Sequence, residues 1–106
     1  MGVEFIETSF FTRRITDVLS DDEYADLQAF LRENPEAGDL IPAGGGLRKI
    51  RWKASGHGKR GSVRIIYYCR TKEKLIMLYA YHKTEQEDLT SSQLKALREF
   101  VKGGAL

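Results

Sequence analysis

The 106-residue sequence predicts an α+β fold in the order β-α-α-β-β-β-α. A curved, mainly antiparallel sheet is expected to pack against an N-terminal helical hairpin and a C-terminal helix. Three observations predict it. Apolar residues in the first third, and again near the C-terminus, recur at helical spacing, whereas those between them alternate or run together as in strands. Two capping-box sequences, Ser20-Asp21-Asp22-Glu23 and Thr90-Ser91-Ser92-Gln93, announce helix starts on either side of the strand-like region. Asn34-Pro35 closes the first helical part, because the residue before a proline is pushed out of the helical region. The length is that of one domain, taken as residues 1–106.

Each element has its own warrant. Residues 3–7 (VEFIE) alternate apolar and polar, as a short strand does. Phe11, Ile15, Val18 and Leu19 then fall on one face of a helix. The second helix opens at Ser20, where the hydroxyl takes a free amide while Glu23 reaches back, and carries Tyr24, Leu27 and Leu31 on one stripe. Residues 39–46 read as a loop that ends in the turn Ala43-Gly44-Gly45-Gly46. The period then changes. Residues 47–53 alternate, and residues 62–70 and 74–82 are rich in β-branched and aromatic side chains, joined tightly at Thr71-Lys72-Glu73. Leu94, Leu97 and Val101 stripe the last helix, which Gly103-Gly104 ends.

Composition excludes several classes. The charged and apolar fractions are those of a globular protein, not of a disordered one. There is no window of about 18 apolar residues to span a membrane. The N-terminus carries acids where a secretory signal needs a basic region, and Ile6 breaks a myristoylation pattern. The lone Cys69, in a β-branched and aromatic run, is expected to be a buried, inert thiol. No His, Cys, Asp and Glu cluster at metal-ligand spacing, so neither a metal nor another cofactor is expected. The expected location is the cytoplasm.

Net charge is +2, but its distribution is uneven. Residues 1–46 carry 3 basic and 10 acidic side chains, residues 47–72 carry 9 basic and no acidic ones, and residues 73–106 carry 5 of each. A chain built this way presents one basic and one acidic face, and a polyanion is the natural partner for the basic one. In an alternating strand Lys49, Arg51 and Lys53 share a face opposite Ile50 and Trp52. Such cations are about 7 Å apart, roughly the spacing of successive phosphates. Arg48 flanks them, and residues 55–61 (SGHGKRG) add His57, Lys59 and Arg60 on a glycine-rich connection. Those glycines allow close approach to a ligand, but the segment lacks the spacing of a triphosphate-binding loop.

Arg64 is out of place among Val63, Ile65 and Ile66. A buried guanidinium must face a carboxylate or a bound anion, and the absence of nearby acids in sequence favours the anion. A second cluster ends the last strand: Tyr79, Tyr81, His82, Lys83 and Glu85. There an aromatic ring can stack a base, His or Glu can move a proton, and Lys can stabilise charge. A basic run in a small protein is also commonly a solvated face, and a lone histidine commonly a surface one.

Three stretches in order, GLRKIR, GKRG-x-x-R-I-I-YY and Y-x-K-x-E-x-x-D-L-T, closely resemble the RelE/HigB toxin superfamily of bacterial type II toxin–antitoxin systems, nearest the HigB-type branch. The similarity spans nearly the whole chain. It implies a microbial-RNase-like fold and a ribosome-dependent endoribonuclease that cuts mRNA in the A site. It also implies an antitoxin, of HigA type with a helix-turn-helix domain, through which alone an operator DNA would be met.

The family's chemistry is metal-independent attack of a ribose 2′-hydroxyl on the adjacent phosphate. That step needs a base, cations at the pentacoordinate phosphate and an acid for the leaving 5′-oxygen. By resemblance, Arg64 matches the phosphate-stabilising arginine. Arg51 and Lys53, with Lys49, match RNA-binding basic residues. Tyr81 and His82 resemble a Tyr-His pair that ends some HigB chains, and Lys83 matches a basic residue after the last strand. Two positions depart: Thr84 stands where RelE proper has a second arginine, and Thr90 where it has a tyrosine. The base and acid therefore stay open among Lys53, His82, Glu85 and His57. Two rival readings share the fold: a ParE-type gyrase inhibitor with no nuclease step, and a non-catalytic RNA- or DNA-binding module. The cations on consecutive strands favour the nuclease.

Overall fold

A helix leaves its first amides without partners, so each of the three here begins at a hydroxyl that takes one. In the computed structural model, which describes residues 2–54 and 61–104, Thr8 accepts from the Phe11 N–H and opens α1 (Ser9–Val18). Ser20 and Glu23 form the reciprocal capping box and open α2 (Asp21–Glu33). Thr90 and Gln93 do the same for α3 (Ser91–Lys102), which ends at Gly103.

The strands are β1 (Glu4–Glu7), β2 (Asp39–Leu40), β3 (Leu47–Ala54), β4 (Gly61–Thr71) and β5 (Lys74–His82). They form one sheet in the order β1-β5-β4-β3-β2, with β1 parallel to β5 and every other neighbour antiparallel. The fold is therefore the α+β class predicted, with one addition. The expected loop over residues 39–46 contains β2, whose Asp39 and Leu40 pair with Lys49 and Arg48. Two residues carry no periodicity, so sequence pattern alone does not reveal such a strand.

The two faces of the sheet are covered differently. On one, Phe11, Ile15, Leu27 and Leu31 of the first two helices pack on Ile50, Val63, Ile65 and Tyr67. On the other, Leu94, Leu97 and Val101 of α3 pack on Leu47, Ile66, Ile76 and Leu78. Further along this second face β3 leaves Arg51 and Lys53 exposed. Cys69 is half-buried rather than buried; burial pushes its thiol up, which keeps it in the unreactive protonated form. Among the described residues no helix is long and apolar enough to cross a membrane.

A β-bulge in β5 decides what the second face presents. Ile66 pairs with Tyr79 and Tyr67 with Met77, so Leu78 is an extra residue without a partner in register. Strict alternation would place Tyr79 and Tyr81 on the face opposite Leu78. The bulge resets the pleat, and Leu78, Tyr79 and Tyr81 all join the α3 side while Ala80 joins the other. Tyr81 thereby lies directly beside Arg64.

Tyr67 anchors the approach to β2. Its buried hydroxyl donates to the Pro35 carbonyl (3.0 Å) and accepts from the Gly38 N–H (2.9 Å). Tyr67→Phe keeps the ring but strands both backbone groups. It is expected to cost about 1–3 kcal/mol, seen as a lower Tm in thermal unfolding. An unchanged Tm would show that the loop is held elsewhere.

Candidate functional site

Antiparallel register builds the site. Arg51 on β3 is opposite Arg64 on β4, which is opposite Tyr81 on β5, so the three form a row across adjacent strands about 4.8 Å apart. One pair further on, Lys53 faces Ser62, whose carbonyl accepts from the Lys83 N–H. One pair back, Lys49 faces Ile66 on one side and Asp39 of β2 on the other. Lys49, Arg51 and Lys53 thus share one face, as the alternation predicts.

A cleft of about 430 Å³ opens over this face. One wall is Asp39 to Pro42 and the other Asp88, Leu89 and Leu94, with Lys49, Arg51 and Tyr81 between. The first wall is held in place from two directions. The Arg98 guanidinium of α3 donates to the Ala43 carbonyl (2.6 Å), and the Ile41 N–H donates to Leu47. Gly46 closes the turn at φ 101°, where a side chain would also strike the Tyr68 ring.

The buried polar atoms of the row are unpaired. Arg64 is only 7% exposed, yet its Nε and Nη1 have no hydrogen-bond partner among the described residues, nor has the Tyr81 hydroxyl. Such groups cost stability unless something pairs with them. Burial pushes the Tyr81 phenol up, with Asp88 adding to the effect and Arg64 opposing it, so it stays a proton donor. Asp88, the acid that sequence proximity did not suggest, meets Lys49 Nζ at 2.8 Å. The hydrogen bond and charge of Lys49, with Arg64 and Arg51 beyond, hold its carboxyl below the usual range.

The other sequence candidates go elsewhere. Arg48 points to the opposite face and ties down the loop before β2, donating to the Gly38 (2.7 Å) and Glu36 (3.1 Å) carbonyls. His82, adjacent in sequence to Tyr81, pairs in register with Val63 and is 3% exposed. Its Nδ1 accepts from the Thr84 N–H (3.1 Å) and meets the Thr84 hydroxyl (2.7 Å), so Tyr81 and His82 do not act from one face as a pair. Glu85 bridges Arg14 of α1 (2.7 Å) and accepts from the His82 N–H. The Arg14 Nε donates to the Ala80 carbonyl, so this ion pair pins α1 to the end of β5. Thr84 and Thr90 have local partners: the Thr84 N–H donates to the His82 ring and Thr90 caps α3. His57, Lys59 and Arg60 lie outside the described residues.

Sequence reasoning missed Asp88 and Asp39 as parts of the site. Asp88 comes from 39 residues away along the chain, and neither carboxylate belongs to a local pattern that marks it. The arrangement as a whole has the chemistry to receive a phosphate. It offers a guanidinium row, a protonated phenol, and apolar walls beside them.

Against this geometry, a family model described as the RelE toxin of the RelE/RelB toxin–antitoxin system matches residues 8–105. The chain belongs to the RelE toxin family. The match runs from the cap of α1 through all of α3, so the cationic row and both cleft walls lie within it. A RelE-family toxin belongs to a two-protein system and has an antitoxin as partner. No three His, Cys, Asp or Glu side chains among the described residues converge as metal ligands.

Proposed function

We propose that this RelE-family protein is a ribosome-dependent endoribonuclease of the HigB-type branch, and that the cleft between β2 and the turn before α3 is where it cuts mRNA. The observation that carries the reading is the Arg51–Arg64–Tyr81 row, in which Nε and Nη1 of a buried guanidinium and a buried phenol hydroxyl lack partners among the described residues. Donors that the fold holds in place without using them are available to stabilise the charge of a scissile phosphate.

In the reaction, the 2′-oxygen bonds to the adjacent phosphorus and the bond from phosphorus to the 5′-oxygen breaks. The products are a 2′,3′-cyclic phosphate and a free 5′-hydroxyl. Arg64 and Arg51 stabilise the charge of the pentacoordinate phosphate. Tyr81 protonates the departing 5′-oxygen. Lys53, next along the same face, takes the proton of the 2′-hydroxyl; His82 and Glu85 are turned away from the row.

The test is cleavage of a defined mRNA by purified protein, with and without translating ribosomes, mapped by primer extension. Cuts that need ribosomes and fall at fixed codon positions support the reading. A folded, toxic protein that leaves mRNA intact and arrests DNA replication first overturns it in favour of a ParE-like gyrase inhibitor. The antitoxin is proposed to be of HigA type, with a helix-turn-helix domain, and to meet the cationic face with acidic side chains. Its affinity is then expected to fall as salt rises; an affinity indifferent to salt would remove that contact.

A further inference from the structure

We infer, building on the RNA-site reading above, that Asp88 is a resident counter-ion of the cleft: it holds Lys49 while the site is empty and gives it up to the RNA backbone on binding.

The cleft has a charge problem that its fold creates. Register places Arg51 directly opposite Arg64, with Lys49 and Lys53 on the same face, and like charges opposite one another in a sheet are destabilising. Of the two carboxylates that line the cleft, Asp39 and Asp88, it is Asp88 that forms an ion pair with the cationic face. It lines the cleft, meets Lys49 Nζ at 2.8 Å, and feels Arg64 and Arg51. It reaches only the outer part of the row, because Arg64 Nε and Nη1 and the Tyr81 hydroxyl remain without partners among the described residues. A carboxylate therefore occupies the mouth of the cleft, outside the buried donors of the row.

The contact is also built to break. The turn that carries Asp88 is fixed by other bonds: Gln86 Nε2 donates to the Asp88 carbonyl and to Gln93 Oε1, and the Thr90 N–H donates to Gln93 Oε1. Leu89 and Leu94 anchor it in the apolar cluster under α3. Nothing in that network uses the Asp88 carboxylate. The Lys49 ammonium can swing from carboxylate to phosphate without moving the turn, because a lysine stem is flexible where the strand beneath it is not.

Two effects of opposite sign follow for Asp88→Asn. Without RNA, repulsion within the row is no longer offset, so thermal stability at low salt falls and added salt restores it. With RNA, a competing anion has gone, so affinity rises. A purely structural role for Asp88 would make both fall.

The experiment measures binding of a 2′-O-methyl RNA oligonucleotide, which cannot be cleaved, across a salt titration. The proteins are the full chain, Asp88→Asn, Asp88→Ala and Asp17→Asn, the last removing an equal charge from an exposed site on α1. Both Asp88 variants are expected to bind about fivefold more tightly at low salt, roughly what one unit charge about 4 Å away is worth in water. Their affinity should also fall more steeply with salt, because the net positive charge that meets the RNA is larger by one. Asp17→Asn should show neither change. Equal or weaker binding by folded Asp88 variants would overturn the inference while leaving the RNA site standing. Failure of the unaltered protein to bind the free oligonucleotide at low salt would overturn this inference, whereas the RNA-site reading, which is of a ribosome-dependent enzyme, stands or falls on the cleavage assay.

Discussion

Arg64→Ala is expected to abolish growth arrest and to lower the rate of mRNA cleavage by about 100- to 1,000-fold, the loss typical when one preorganised donor to a developing oxyanion is removed. Its effect on stability should run the other way. Arg64 is buried with Nε and Nη1 unpaired among the described residues, so the folded state carries a desolvated charge that Asp88 offsets only in part. Deleting that side chain removes the charge but leaves a small void, and the two effects oppose each other. The expected thermal melt is therefore equal to or slightly above that of the unaltered chain. This dissociation is the diagnostic. A residue kept for packing loses stability and activity together, whereas one kept for chemistry at the expense of stability loses activity alone.

Arg64→Lys sharpens the test. Lysine restores a positive charge but not the planar fork that can donate two parallel bonds to a phosphate. If Arg64 works by geometry as well as charge, the lysine variant recovers only a small part of the rate. Full recovery would reduce Arg64 to a source of field. A well-folded Arg64→Ala protein that still arrests growth would remove it from the site.

The physical reasons why some of this was legible in the sequence, and some was not, differ element by element. Helix starts were readable because a cap is a local contract between residues three apart: Ser20 with Glu23 and Thr90 with Gln93 are both realised. The cationic face of β3 was readable because alternation within one strand needs no knowledge of its neighbours. The anomaly of Arg64 was readable from its apolar flanks, and the structure buries it. What failed to show were features set by pairing. The bulge at Leu78 inverts the faces of everything after it in β5, so Tyr81 reaches Arg64 and His82 does not, although the two are adjacent in the sequence. Arg48 looks like one more member of a basic run, yet its pleat position sends it to the loop on the far face. Asp88 joins the site only because the strands and the turn before α3 bring residues 49 and 88 together.

The bulge gives the second large prediction its force. It is costly to keep an extra residue in a ladder, and here the result is to set a phenol beside a guanidinium in a buried row. That hydroxyl has no hydrogen-bond partner among the described residues, and burial pushes its pKa up. It is thus fully protonated wherever ribosomes function, as a general acid must be. Tyr81→Phe removes one oxygen and nothing else. Stability should be unchanged or slightly higher, because an unsatisfied buried hydroxyl is lost. Cleavage should slow by at least about 100-fold, the usual contribution of a positioned acid.

The decisive arm uses an mRNA whose scissile 5′-oxygen is replaced by sulfur. A thiolate leaves without being protonated, so this substrate should be cut at nearly equal rates by the tyrosine and phenylalanine proteins. Arg64→Ala should remain slow on it, because the charge on the phosphate still needs its donor. If Tyr81→Phe is equally impaired on the sulfur substrate, the phenol is holding the RNA rather than protonating it, and the bulge has built a binding surface instead of an acid.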